Sequence, residues 1–298
     1  MTELKAYGHR IAVIGTGAIG GAVARRLLAA GHDVVVWNRT ASRTAELVDA
    51  GATPAESVRE AASSAALTLL TLTDHTAVQQ CLAELDADLS GRTIIAMCTG
   101  TPGEAIRAAR KVAALGASYL DAGLQTSPEL IGTDAATILY SGSRPAFQRH
   151  RAVLALLSTP RFVGEAPQAA AVWDLTLFGL WYDAQLGLLR ALDAVREAGV
   201  DVAEFADTAV KQLGHVVAAA PATASELLQA SYPAGPATLA EHLTVVRHLI
   251  ELRDGQALGD GGLPAVAARI EALIEQGHAG AGLTATIAPT TGEDGLAG

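Results

Sequence analysis

Residues 10–31 read RIAVIGTGAIGGAVARRLLAAG. A short run with β-branched residues ends in glycine. Glycines stand at 15, 17 and 20, and a helical periodicity then continues to a stop at Gly31. Strand, Gly-x-Gly-x-x-Gly turn and helix, in that order, seat a dinucleotide pyrophosphate on a helix N-terminus. Gly15 permits the tight turn, Gly17 lets backbone approach the phosphates, and Gly20 lets helix and strand pack closely. Ala18 and Ile19 complete the loop. The plain alternative is a glycine-rich turn with no ligand; the flanking strand and helix count against it.

Further runs read as strands: 33–39, 66–73, 93–98, 117–123 and 136–142. Helical stretches such as 41–52 and 101–116 separate several of them. The alternation predicts an α/β domain of Rossmann type, a doubly wound parallel sheet whose strand ends meet ligands along one edge. Strand signals stop near residue 166. Residues 166–199 form one long helical pattern, followed by helical stretches near 201–217, 223–231, 237–253 and 263–276, with breaks at SYPAGP and GDGGLP. The expected organisation is a nucleotide-binding domain over 1–165, an interdomain helix over 166–200 and an all-α dimerisation and substrate domain over 201–298. The small, polar stretch from Gly277 to Gly298 reads as a frayed tail. A helical part with so apolar a connecting helix buries poorly alone, which predicts a homodimer with helices wrapped around a partner subunit.

The second strand ends in WNRT, 37–40. A site for NAD usually carries Asp or Glu here to accept hydrogen bonds from the ribose 2′-hydroxyl. This chain has Asn38, Arg39 and Thr40, with Arg43 one helical turn on. A guanidinium binds a 2′-phosphate that a carboxylate would repel, so NADP(H) is expected. The strand ends at LTLTDH, with Leu72 and Thr73, and at AMCTGTP, with Thr99, should line the nicotinamide side. Thr99 either offers its hydroxyl to substrate or ribose, or simply closes a turn.

The net charge of −10 lacks the basic clusters that phosphate backbones or anionic membrane surfaces require. Cys81 and Cys98 have no metal-ligand spacing, so neither a disulfide scaffold nor a zinc site is expected. No signal-peptide core opens the sequence and no apolar run suits a membrane span, so a cytoplasmic protein is expected.

WDLTLFGLWYD, 173–183, places Asp174 among large apolar residues with no Lys or Arg three or four positions away. Its helical neighbours at those spacings are Ala170, Ala171, Leu177 and Phe178. Either the carboxylate faces water, or it serves chemistry in apolar surroundings. Tyr182 follows eight residues on, about 80° around a helix and about 12 Å along it, so both can flank one groove. A core or interface tyrosine is the alternative. Trp173 and Trp181 read as packing residues; His215 and His242 read as buried, hydrogen-bonded histidines, the alternative being that they line the cleft from a partner subunit, and His248 reads as structural.

The order GTGAIG, VVVWNRT, CTGTP, YLDAGLQTSPELIGTDAATILYSG and a long helix with WDLTLFGLWY resembles NADPH-dependent imine reductases and reductive aminases, relatives of the β-hydroxyacid dehydrogenases. The likeness runs from about residue 9 to about 275 and is most specific at 119–142 and 173–182. It implies a helical domain exchanged between two subunits and an active site in the cleft between one subunit's cofactor and the other's helices. The dehydrogenases use a lysine on the interdomain helix, whereas this chain has none between Lys111 and Lys211. The resemblance assigns the catalytic place to Asp174, with Tyr182 assisting. Reductive aminases place Asn ahead of GTP, where this chain has Thr99; that departure counts against enzyme-assisted condensation of amine with ketone. The implied function is hydride transfer from NADPH to the C=N bond of cyclic or preformed imines. The alternatives are a carbonyl reductase like the β-hydroxyacid dehydrogenases and a non-catalytic NADPH-binding regulator.

Overall fold

The structure, a computed structural model, describes residues 10–288. The chain divides at Gly179 into two compact units.

In the first unit one eight-stranded sheet runs in the order β3-β2-β1-β4-β5-β6-β7-β8. The strands are β1 (Ile11–Ile14), β2 (Val34–Trp37), β3 (Thr53–Pro54), β4 (Leu67–Leu70), β5 (Thr93–Met97), β6 (Ser118–Gln125), β7 (Thr137–Gly142) and β8 (Thr159–Gly164). Helices α1 (Ala18–Ala29), α2 (Ala45–Asp49), α3 (Val58–Ser64), α4 (His75–Ala83), α5 (Pro102–Ala114) and α6 (Arg144–Leu154) fill the crossovers. The central strands are buried on both faces, as parallel strands between helix layers must be. Ile11, Val13, Leu67 and Leu69 join one apolar cluster; Ala12, Ile14 and Leu70 join the other on the opposite face. Strand order reverses between β1 and β4, which opens a crevice at their carboxyl ends.

Three details depart from the sequence expectation. β7 runs antiparallel to β6, while every other pairing is parallel. The link between these two strands holds only a short 3-10 turn, Pro128–Leu130, and a return without a crossover helix must be antiparallel. The predicted helix over 41–52 is a 3-10 turn, Ala41–Thr44, leading into the short α2. β3 and β8 lie at the two edges of the sheet and lacked a sequence signal: β3 is two residues long and exposed, and Pro160 and Arg161 interrupt the apolar pattern of β8.

The second unit is helical: the end of α7 (Ala169–Glu197), then α8 (Val202–Gln229), α9 (Leu239–Leu252) and α10 (Leu263–Glu275). The two stretches expected near 201–217 and 223–231 are one helix. Pro221 lies inside it without ending it; Ala218, Ala219, Ala220 and Ala222 around it are the strongest helix formers. Leu239, Leu243 and Val246 of α9 pack with Ala267, Ile270 and Leu273 of α10. Part of the expected tail is ordered, because Leu283–Ile287 forms a 3-10 turn with Ala285 buried in that cluster. Residues 289–298 of the expected tail lie outside the described residues. No helix among the described residues is long and apolar enough to cross a membrane.

The tightest contact in the glycine loop makes a test. A Cβ on Gly20 would stand 1.9 Å from the Gly15 carbonyl oxygen and 2.4 Å from Thr71 Oγ1. Gly20→Ala is expected to lose about 1–3 kcal/mol of stability, read as a lowered urea midpoint for the purified protein; an unchanged midpoint would refute this close packing.

Candidate active site

The glycine loop lies at the crevice between β1 and β4. Gly15 takes φ +93, a left-handed conformation that glycine adopts without strain. Gly17 is the N-cap of α1, and no side chain caps the first turn. A Cβ at Gly17 would meet nothing within 4 Å, so its surface is open. Open backbone over a helix N-terminus suits an anionic group.

Thr16 braces the loop against the end of β2. Its amide donates to Asn38 Oδ1 at 3.1 Å and its hydroxyl donates to the Arg43 carbonyl at 3.0 Å. Asn38 Nδ2 donates to the Thr40 carbonyl at 3.0 Å, so the Asn38 amide fixes the loop that carries Arg39. A cleft of about 200 Å³ is lined by Gly15, Gly17, Asn38, Arg39, Thr40, Arg43, Leu72 and Thr73, among others. Among the described residues neither Arg39 nor Arg43 forms a salt bridge. Two guanidinium groups without acidic partners, beside open helix amides, fit a dinucleotide that carries an additional phosphate. A second cleft of about 220 Å³ shares Leu72 and Thr73 and adds Ile19, Met97, Thr99 and Leu124. Together the clefts run from the arginines to Thr99 along the carboxyl ends of the strands. Ala18 opens α1 at the loop; Gly20 packs beneath it.

Asp174 is 1% exposed, so the solvent-facing alternative is excluded. Thr99 Oγ1 donates to Asp174 Oδ2 at 3.0 Å, and Gln125 Nε2 donates to Oδ1 at 2.7 Å. Two neutral donors, one per oxygen, answer the missing cation. The carboxylate lies against Gly123: a Cβ there would stand 2.7 Å from Asp174 Cβ and 2.9 Å from its Oδ1. Thr99 therefore bonds to Asp174 and is not the helix cap; Thr101 caps α5, accepting from the Glu104 amide. Tyr182, in the second unit, is 56% exposed with its ring 5.0 Å from Trp181, edge-on. Trp173 and Trp181 are also exposed, and the Arg161 guanidinium lies 5.8 Å from the Trp173 ring centroid.

Sequence reasoning missed Gln125, Gly123 and a polar group beneath Asp174. Asp121 is 2% exposed and accepts from the Tyr119 hydroxyl at 2.9 Å. His75 Nε2 stands 3.9 Å from Asp121 Oδ1, and neither His75 ring nitrogen has a hydrogen-bond partner among the described residues. Burial lowers the His75 pKa and keeps the ring neutral. Burial pushes the Asp121 carboxyl up to about 7, and the Asp174 charge adds to the rise; the Tyr119 hydroxyl and the Ala171 amide oppose it. The signal was the period-2 alternation within YLDAGLQ, which puts 121, 123 and 125 on one strand face.

The NAD binding domain of 6-phosphogluconate dehydrogenase matches residues 10–164, and the C-terminal domain of NADPH-dependent reductive aminase-like proteins matches 166–290. The chain belongs to the imine reductase and reductive aminase family. Within that family it is 29% identical to the NADPH-dependent reductive aminase of Aspergillus oryzae over 282 residues, 93% of this chain and 95% of the relative. Among solved structures, a reductive aminase from Aspergillus terreus in complex with NADPH and ethyl levulinate is 30% identical, with a TM-score of 0.82 over 94% of this chain and 98% of that one. The imine reductase of Bacillus cereus BAG3X2 is 29% identical, with a TM-score of 0.85 over 93% and 97%.

The raised Asp121 carboxyl has a thermodynamic consequence. Between the ordinary carboxylate pKa of 3.8 and about 7 the folded chain holds a proton that the unfolded chain has released. The stability contributed by this group is therefore full at low pH and is lost as pH rises toward 7. Asp121→Asn removes that loss. In urea unfolding the stability of the variant relative to the parent should rise between about pH 4 and about pH 7 and level off above that; a difference that does not change with pH would refute the buried titration.

Proposed function

We propose that this protein is a cytoplasmic NADPH-dependent imine reductase that works as a homodimer with exchanged helices. The carrying observation is Asp174: a buried carboxylate held by two neutral donors at the end of the cleft that starts at Arg39 and Arg43. The cofactor, when bound, supplies the hydride. The chain's own residues do the rest. Arg39, Thr40 and Arg43 hold the 2′-phosphate, and the Gly15–Gly20 loop receives the pyrophosphate. Leu72, Thr73 and Ile19 wall the second cleft and exclude water from it. Asp174 stabilises positive charge on the substrate nitrogen, or gives it a proton, at Oδ1 or Oδ2. Thr99 and Gln125 fix the plane of that carboxylate, so little rearrangement accompanies the change of charge. Tyr182 assists from further along α7. The absence of lysine on α7 removes the residue on which carbonyl–alcohol exchange in the related dehydrogenases relies.

Exposed apolar helix faces support the homodimer. No residue of α8, 28 residues long, is buried within the chain. Val210, Val216, Val217 and Leu228 stand largely exposed on it, and Leu180, Trp181 and Tyr182 on α7. Exposed apolar side chains along two helices require a cover, and a second copy of the chain supplies one of matching length and chemistry.

Two measurements test the proposal. With a small cyclic imine and NADPH, Asp174→Ala should lower kcat by on the order of 10²-fold or more, with Asp174→Asn nearly as impaired; undiminished turnover in Asp174→Ala removes the residue from the mechanism. Sedimentation at micromolar concentration should return twice the chain mass, and a monomer would refute the assembly.

A further inference from the structure

We propose that Asp121, together with Ser141, is a positioning residue for imine reduction: the pair grips the first turn of α7 and thereby sets where the Asp174 carboxylate stands. This deepens, and rests on, the role given to Asp174 above. Asp121 and Ser141 face each other directly across the antiparallel pair of β6 and β7. Ser141 Oγ accepts from the Ala170 amide at 2.9 Å and donates to the Pro167 carbonyl at 2.9 Å. The next amide, that of Ala171, lies close enough to the Asp121 carboxyl to hold its pKa down. First-turn amides have no partner within their helix. Here a strand hydroxyl, that of Ser141, takes the place of a helix cap, with the Asp121 carboxyl beside the next amide, and both side chains are buried. An amide and a preceding carbonyl held by one strand hydroxyl, with a carboxyl beside the next amide, fix the start of the helix on the sheet.

Asp174 lies four and three residues after Ala170 and Ala171, on the same helix face one turn later. It returns to β6 at Gly123, two residues along the strand from Asp121 and therefore on the same strand face. Gln125, two residues further, supplies the hydrogen bond to Oδ1. One strand face thus carries the anchor, the seat and the donor for the same carboxylate.

Asp121 also stands electrically close to Asp174. The groups facing it are the Tyr119 hydroxyl on its own strand, the neutral His75 ring at the start of α4, the Cys98 thiol past β5 and the Asp174 carboxylate on α7. Asp74 and Glu104 act on His75 and Cys98, and Arg107 acts on His75. Burial pushes the Cys98 thiol up to about 12, which keeps it uncharged. Ionising Asp121 therefore places a second negative charge behind Asp174, and turnover should register that ionisation.

The test uses the full-length protein and four variants: Ser141→Ala, Asp121→Ala, Asp121→Asn and, as a control on the underlying reading, Asp174→Ala. Hydrogen exchange at the Ala170 and Ala171 amides is measured without cofactor, and kcat and KM are measured against pH with NADPH and a cyclic imine. Ser141→Ala and Asp121→Ala should each accelerate exchange at these amides by about tenfold or more. Each should lower kcat by up to on the order of 10²-fold, the effect expected of a displaced reacting group, with KM for NADPH nearly unchanged. Asp121→Asn, which keeps an acceptor oxygen, should retain protection and erase the inflection of kcat near neutral pH. Parent-like exchange in both alanine variants overturns the anchor. A kcat profile of Asp121→Asn superimposable on the parent overturns the electrostatic part. Should Asp121→Ala not fold, Ser141→Ala and Asp121→Asn decide each part separately. If Asp174→Ala turns over normally, the role of Asp174 has failed, while exchange still reports on the anchor. If only Asp174→Ala is impaired, that role stands and the positioning proposal is refuted.

Discussion

A carboxylate taken out of water needs partners, and Asp174 has two that carry no charge. The Thr99 hydroxyl and the Gln125 amide each donate to one oxygen. A lysine or arginine in their place would neutralise the group and bind it far more tightly. Neutral donors leave the negative charge available to a cationic partner, and fixed donors hold it in one orientation. The surrounding structure serves this arrangement. Gly123 makes room for the side chain, and Ser141 takes up an amide of the turn that precedes it, with Asp121 beside the next. A charge held in this way suits chemistry in which nitrogen becomes positive.

The sheet explains how distant segments meet. Glycine loop, arginine loop, Leu72–Thr73 and Thr99 all follow parallel strands, so all emerge on one edge. Thr16 ties the first two segments together through Asn38 and the Arg43 carbonyl, which makes the phosphate end a single braced unit. β6 extends beyond its parallel neighbour before the chain turns back into β7. That extension carries Gly123 and Gln125 up to the helix that bears Asp174.

Much of this was readable from the sequence because local signals coincided. A β-branched run, three spaced glycines and a helical period fixed the loop; Asn38-Arg39-Thr40 in place of an acid pointed to the cofactor's additional phosphate; and the apolar neighbours of Asp174 marked it as unusual. The partners of Asp174 were not readable, because Gln125 is 49 residues away and Thr99 is 75 away. Contacts at such separations depend on tertiary packing, which no local pattern records. The unbroken course of α8 was hidden for a different reason: Pro221 is a strong local stop signal, outweighed by its alanine-rich flanks. The reversal of β7 was missed because strand patterns carry no direction.

The spacing of Asp121, Gly123 and Gln125 on one strand has a consequence for how such a chain can change over generations. Replacing any one of them removes a single role. Adding or deleting one residue between them turns part of the set to the opposite face of the sheet, because side chains alternate with a period of two. Substitution can therefore proceed one position at a time, but a frame change in this segment disrupts several roles together, so the strand's length should be held more strictly than its composition.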